Sequence, residues 1–445
     1  MEEQGLSTKL VSLVKNSASV KIGVIGFIIL ILLIPGSMIS SLIHEREVRR
    51  NGVLNEISNK WGGDQLVSGP VISVPFKVIH HYDTKKPVIE TKYLHFLPEV
   101  LDIKGSLNPQ IRHRGIFEAP LYHATLDIKG SFAPLDLDKL LVNKTSILWD
   151  KAFLSMGIRD MAGIRQQMKG FLDDKEVVVN PGIITADVFS SGVSVALDIK
   201  PGRALAFHFQ LQLNGSEELQ FLPMGQNTKV NLKSPWQNPS FSGEFLPTDY
   251  EISETGFEAN WLISHFNRNY PQSWQGSRKD IWSSGFGVKM YQGTDIYQKT
   301  TRTSKYSLMF IVFSFTAFFL AEVLTKGRVH PVQYLLVGFA ITCFYTLLLA
   351  LSEHVGFNLA FMVASLAVIG LVGAYTRSIL GSRMALVTSS LLIFLYTYLF
   401  ITLQLEDYAL LMGSIGLFAL LGLVMYVTRK VDWYCLHGEP DKLEG

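Results

Sequence analysis

Six ionisable side chains stand inside or at the edges of long apolar runs: Glu322, His330, Glu353, His354, Glu406 and Asp407. A carboxylate in hydrocarbon is costly unless it is paired. Such residues therefore mark either a bundle interior that couples or passes ions, or the level at which a helix leaves the lipid. Glu322 is the candidate for coupling, because apolar residues flank it on both sides and His330, eight residues on, offers a donor across a turn. Glu353 and His354 fall nearer a span end. In TRKVDWY, Arg429, Asp432 and Trp433 read as lipid anchoring, with ligand binding as the alternative. Trp236 and Phe241, in the segment SPWQNPSFSGEFLP, read as an ordered loop between strands. There they either plug the end of a core or stand out as aromatic anchors for a partner.

Enzyme signatures do not accompany these residues. The chain has no Walker A sequence, no H-E-x-x-H, no G-x-S-x-G and no paired C-x-x-C. Ser414, between glycines in MGSIGLF, fits close helix packing better than nucleophilic chemistry. The two cysteines, Cys343 and Cys435, leave the middle of the chain without a disulfide or a thiolate metal site. The reading is a protein that is not an enzyme, with no catalytic residue, cofactor or metal. A net charge of +2, with no basic stretch interleaved with aromatics, gives no reason to expect nucleic acid as a partner.

The elements that position these residues follow from where the apolar side chains lie. Of 445 residues, 48% are hydrophobic and 18% charged, and the mean hydropathy is +0.24. The apolar excess sits at the two ends of the chain. Runs at about 20–43, 307–324, 331–351, 355–375, 384–403 and 408–427 approach or reach the roughly 18–20 residues a helix needs to span hydrocarbon. The first run could be a secretory signal, but it continues past Pro35 to Ile43 with no A-x-A-like site, which favours an uncleaved anchor. Lys9, Lys15, Lys21, Lys326, Arg328, Arg377, Arg383, Arg429 and Lys430 all fall on one side of a six-span arrangement. That bias predicts cytoplasmic termini.

The expectation is a polytopic α-helical membrane protein of about six transmembrane helices, with a large mainly-β domain of the antiparallel sandwich type inserted between helices 1 and 2. Its parts are a cytoplasmic N-terminus (1–19), a first span (20–43), an outer domain (44–305, in one lobe or two), a five-helix C-terminal bundle (306–427) and a cytoplasmic tail (428–445). In a bacterium the outer domain is periplasmic. Leu54, Ile57 and Trp61 predict a helix continuing out of the span and stopping at Gly62-Gly63. Beyond it the runs VISVPFKVI, GVSVALDI and ALAFHFQLQL predict strands, and Asp160–Phe171 is helix-compatible. LDIKGSLNP at Leu101–Pro109 returns as LDIKGSFAP at Leu126–Pro134, and LDIKPG follows at Leu197–Gly202, which predicts similar strand-turn units.

Several segments together resemble the CreD family of bacterial inner-membrane proteins. They are Trp61 with Gln65 and Gly69-Pro70, SPWQNPSF and GEFLP, KYSLMFIVFSFTAFFLAEVLT, HPVQYLLVG, LALSEHVGF and TRKVDWY. The resemblance covers essentially the whole chain. It implies an inner-membrane location, a periplasmic domain and a role in envelope integrity or envelope stress, and it supplies no reaction or ligand site. The expected partners are the lipid bilayer and a periplasmic or inner-membrane protein or envelope component. The alternative is a transporter or channel-like protein using the C-terminal bundle.

Overall fold

In the computed structural model the apolar ends of the chain are helical and its middle is built from strands. The structure describes residues 18–80, 88–136, 146–199, 202–278, 280–290, 296–325, 329–405 and 409–429. The chain divides into two compact units, Arg50–Gly293 and the combination of Met1–Arg49 with Thr294–Gly445.

Helix α1 (Ala18–Trp61) runs 44 residues, through the first apolar segment and Pro35 into the polar stretch beyond. Its expected stop is present. Gly62 has φ +138°, its N–H donates to the Ser58 carbonyl at 2.8 Å, and a Cβ there would lie 2.7 Å from the Asn214 carbonyl oxygen. Only glycine meets both demands without strain. Leu54 is buried with Ala119 and Leu121, and Ile57 and Trp61 pack on them.

The β unit comprises β1 (Gln65–His80), β2 (Val88–Phe96), β3 (Val100–Arg114), β4 (Phe117–Phe132), β5 (Phe153–Ile158), β6 (Lys169–Leu172), β7 (Lys175–Val177), β8 (Asn180–Pro181), β9 (Gly192–Ala196), β10 (Leu205–Ser216), β11 (Glu218–Phe221), β12 (Asn227–Ser234), β13 (Pro239–Gly243), β14 (Asp249–Ser253), β15 (Gly256–Ser264), β16 (Ser273–Gln275) and β17 (Phe286–Met290). One sheet has the order β13-β17-β11-β1-β5-β9-β8, with β2 also on β1 and β16 on β2. The other has the order β14-β15-β12-β3-β4-β10-β6-β7. Period-two patterning aims one face inward: Phe207, Phe209, Leu211 and Leu213 of β10 are buried, as are Val230 and Leu232 of β12. Leu66, Val71 and Phe221 of the first sheet share one buried cluster with Ile103, Leu126 and Trp261 of the second.

Three expectations need correcting. The sheets are mixed rather than purely antiparallel, since β1 pairs in parallel with β11 and β3 with β12. A parallel pair needs a long crossover, and more than a hundred residues of chain lie between the members of each pair. Asp160–Phe171 is not helical. Asp160 caps a single 3₁₀ turn, Met161–Gly163, by accepting from Ala162 N at 3.0 Å, and the chain then enters β6. The repeated LDIKGS segments are the two arms of one hairpin, with Leu101 opposite Gly130, Asp102 opposite Lys129, Ile103 opposite Ile128 and Lys104 opposite Asp127. The third echo lies past the end of β9, and its residues 200–201 fall outside the described residues.

The helical unit contains α2 (Ile296–Lys305), α3 (Ser307–Thr325), α4 (Pro331–Val355), α5 (Phe357–Leu380), α6 (Ser382–Gln404) and α7 (Ala409–Thr428). Among the described residues, the Gly23–Trp61 part of α1 and helices α4, α5 and α6 are long and apolar enough to cross a membrane. Helices α3 and α7 are apolar over 19 and 20 residues. Helix α2 falls in the same compact unit as these helices, and it is amphipathic, burying Tyr297, Thr300 and Thr303. An added Cβ at Gly338 of α4 would collide with Leu32 of α1, so the glycine lets these two helices close on each other.

Candidate functional site

Among the described residues two carboxylates, the buried Glu322 and the half-buried Glu353, supply acidic groups near the two ends of α4. Glu322 of α3 is 3% exposed. Its Oε2 accepts from the Tyr334 hydroxyl at 3.0 Å and its Oε1 from Val329 N at 2.9 Å. Tyr334 is held in place by Phe315 and Phe318, both edge-on to its ring. His330 does not fill the expected role of donor. It is exposed and caps α4, with Nδ1 accepting from Val332 N and its own N–H donating to the Gln333 side chain at 2.8 Å. Tyr334, four residues further on, lies on the buried face and takes the carboxylate instead.

At the far end of α4, Glu353 accepts from the Tyr297 hydroxyl of α2 at 2.9 Å and lies 3.7 Å from Arg46 Nη1 of α1. The adjacent His354 is exposed. Tyr334 and Glu353 are nineteen residues apart on one helix, or about 28 Å at ~1.5 Å per residue, close to the ~30 Å hydrocarbon core of a bilayer. Between those levels Ser314 Oγ, Tyr345 Oη and Tyr396 Oη are buried and have no hydrogen-bond partner among the described residues. The Tyr396 ring packs on Phe310, one turn from Ser314, and on Phe344, next to Tyr345, so the three hydroxyls belong to one interior. Carboxylate-tyrosine pairs in a low-dielectric interior can take up and release protons, and buried hydroxyls can donate and accept hydrogen bonds.

Arg429 is exposed at the end of the described chain, its guanidinium 4.1 Å from the centre of the Tyr426 ring. Asp432 and Trp433 lie outside the described residues, as do Glu406 and Asp407.

In the β unit the segment expected to be a loop contains a strand, β13. It carries Phe241, whose ring lies 5.2–6.0 Å from those of Tyr250, Phe257 and Trp261. The segment leaves β12 in one sheet, pairs with β17 in the other and returns to the first as β14, so it straps one open side of the sheet pair. Trp236 is half-buried at the start of this strap, and its Nε1 donates to the Asn238 carbonyl at 2.9 Å.

Two buried polar groups were not singled out as site residues from the sequence, although Gln65 stands among the residues that carry the family resemblance. Gln65 is fully buried. Its Nε2 donates to the Asp160 and Asn214 carbonyls, each at 3.0 Å, and its Oε1 accepts from Asp160 N. His95 is fully buried, with Nδ1 2.9 Å from Ser73 Oγ and Nε2 3.4 Å from Asp187. Burial pushes its pKa down to about 4, against the opposing pull of Asp187. Polar residues inside strand patterns were the available signal, but the pattern does not say which of them lose their water.

A family model described as inner membrane protein CreD matches residues 17–434. The chain belongs to the CreD family. Inner membrane protein CreD of Escherichia coli (strain K12) is 34% identical over 416 residues, covering 91% of each chain. The CreD match and the apolar helices together make this an inner-membrane protein. Among solved structures, an M1 zinc metallopeptidase from Deinococcus radiodurans matches with 12% identity over 44% of this chain and 42% of its own, at a TM-score of 0.21. A mutant of that enzyme bound to a Tyr-ser-ala substrate gives 14% and 0.22. At such scores neither carries an argument about CreD-family fold or chemistry.

Proposed function

We propose that this chain is a non-enzymatic inner-membrane protein that supports envelope integrity or the response to envelope stress. It crosses the membrane six times, keeps both termini in the cytoplasm and holds its β unit in the periplasm, where that unit binds or senses an envelope component. The observation that carries this reading is the insertion of Arg50–Gly293, with a core of its own, between apolar helices whose short connections carry Lys and Arg on one side only. Single cysteines at His354 and Ser382, both exposed, test the topology in a variant lacking Cys343 and Cys435. A membrane-impermeant maleimide added outside should label the first and not the second, and the reverse pattern refutes the orientation. Rescue of envelope-stress sensitivity in a deletion strain, with in-cell crosslinking from the β unit, tests the role.

A second reading, transport or channel activity through the bundle, is favoured by one observation: carboxylate-tyrosine pairs near both ends of α4 with buried hydroxyls between them. Proteoliposomes under a pH gradient decide it. Proton flux lost in both Glu322→Gln and Glu353→Gln supports transport, and no flux above empty vesicles removes it.

A further inference from the structure

Strand β14 closes one end of the eight-stranded sheet, pairing on one side with β15 and on the other with no strand among the described residues. An exposed edge presents unpaired backbone donors and acceptors, and proteins blunt such edges by shortness, proline, lysine or bulges. The other edges show these devices. Strand β7 has three residues, with Lys175 on it, β8 has two and ends in Pro181, β16 has three, and β13 begins with Pro239 and ends with Gly243. The sequence of β14, DYEIS, has no proline, lysine or glycine, and its only such device is the pair of acids Asp249 and Glu251. All five of its residues are exposed and its register with β15 is regular.

The two faces of this edge differ. Tyr250 stands opposite Ala259 and Ile252 opposite Phe257, which puts both on the core-side face, yet they are 60% and 47% exposed. Asp249 and Glu251 stand opposite Asn260 and Glu258 on the other face. Neither acid has an ion pair or hydrogen bond from its side chain among the described residues, whereas the nearby Lys233 is taken by Glu258 at 2.9 Å. Beside the acidic face a groove of about 570 Å³ opens, lined by Glu251, Ser253, Thr255, Glu258 and Asn108 together with Lys233, whose charge Glu258 meets. Glu251 already faces Glu258 across the β14-β15 pair, and a second copy laid antiparallel would bring a further carboxylate against it, so self-pairing compounds an unfavourable like-charge contact. The edge suits a strand of opposite sign.

We propose that β14 is a docking edge for an extended segment of a partner protein, with basic residues alternating with apolar ones, which adds to the sheet as a further strand. Its basic side chains meet Asp249 and Glu251, the groove takes one of them, and its apolar side chains cover Tyr250 and Ile252. Main-chain hydrogen bonds supply affinity and the alternating pockets supply selectivity. This rests on the proposed function only for the compartment in which the partner is met, and binding by purified protein is independent of orientation.

The test uses the full chain in nanodiscs of neutral phosphatidylcholine and a fluorescent eight-residue peptide of alternating lysine and valine. Saturable binding is expected, weakened about ten-fold or more in the Asp249→Lys, Glu251→Lys double variant. That variant should gain binding to the glutamate-valine counterpart, which also shows that it is folded. Reversing the exposed Asp150 and Glu176 instead should leave binding unchanged. A lysine-valine peptide N-methylated at alternate amides should bind poorly, because it keeps its charge and side chains but cannot pair along one edge. Equal binding of the methylated peptide overturns strand addition in favour of a merely acidic surface. Absence of binding, or binding unaffected by the double reversal, overturns the site, as does self-association lost on the same reversal, which makes the occupant a second copy.

Discussion

The two units bury polar groups for different ends. In the β unit several hidden polar side chains serve the backbone, although His95 meets the Ser73 and Asp187 side chains. Gln65 ties Asp160 and Asn214 together through their main-chain atoms, and Arg268 reaches the Tyr270 and Gly225 carbonyls. Strands and their connections leave main-chain groups over, and a buried amide or guanidinium is the means of pairing them. In the helical unit the backbone is largely paired within each helix. Its hidden carboxylates therefore hold hydroxyls of other helices, Tyr334 for Glu322 and Tyr297 for Glu353. Polar burial supports the fold in the first unit, and in the second it leaves groups available for chemistry.

The sharpest break with that contrast would be a β unit that tolerates loss of Gln65. Gln65→Leu takes a partner from the Asn214 carbonyl and from Asp160 N, at about 1–3 kcal/mol each, while the Asp160 carbonyl keeps the Gly163 N–H, so a destabilisation of about 2–5 kcal/mol is expected. Hydrogen exchange of the full chain should show it as lost protection in β1 and around Asp160. Unchanged exchange there would mean the amide is dispensable.

Acid comes next. Above pH 6.5 His95 is neutral whether the chain is folded or not. As pH falls, the unfolded chain takes a proton that the buried ring, with its pKa lowered to about 4, refuses. Stability is therefore lost as pH falls from 6.5 to about 4 and is level below that, by about 3 kcal/mol in all. Acid unfolding should be less steep in this window in His95→Asn. The carboxylates Glu56, Glu90, Asp127 and Glu258, all held below their ordinary values of 4.5 and 3.8, lose their contributions from about pH 5 downward, so the upper part of the window reports on His95.

Within the strap, Phe241→Ala removes a ring lodged among three others and should cost about 2–3 kcal/mol. Trp236→Ala, at a half-buried position, should cost about 1 kcal/mol. Denaturant midpoints followed by fluorescence rank the two, and the opposite order would make Trp236 the plug.

The smallest expected effect is in the helices. Glu322→Gln keeps the size of the side chain and its acceptor for Tyr334, so membrane abundance and midpoint should shift by less than about 1 kcal/mol. Complementation of envelope-stress sensitivity then isolates the charge. A large fall in abundance would place Glu322 with Gln65 among the groups that hold the fold.

Much of this was legible in the sequence because length and period are local. The apolar runs at both ends are helices, α1 ends at Trp61 as Gly62 dictates, and the alternation in ALAFHFQLQL is that of β10. Partnership was not legible. Nothing in the spacing of Glu322 and His330 says that His330 turns outward to cap α4 while Tyr334 turns inward. The pairing of β1 with β11 and of β3 with β12 depends on crossovers that no local pattern encodes. The strand in SPWQNPSF was hidden by its prolines, which suit an edge position but argue against a central one.

The echoed LDIKGS arms bear on how faithfully their hairpin forms. A slip of one residue turns every inward side chain outward and is rejected by the core, but a slip of two preserves the faces and would pass that check. Here the charges decide. In the native alignment Asp102 stands opposite Lys129 and Lys104 opposite Asp127, with the Lys129 ammonium itself resting 2.7 Å from Asp127 on its own strand. Sliding two residues one way sets Asp102 against Asp127, and two the other way sets Lys104 against Lys129. The repeat thus acts as a vernier, with only one setting at which both scales agree in sign. Exchanging the charges of one arm alone, by Asp102→Lys with Lys104→Asp, should move the preferred setting, and refolding of that variant should yield misaligned hairpins that the apolar pattern alone cannot correct.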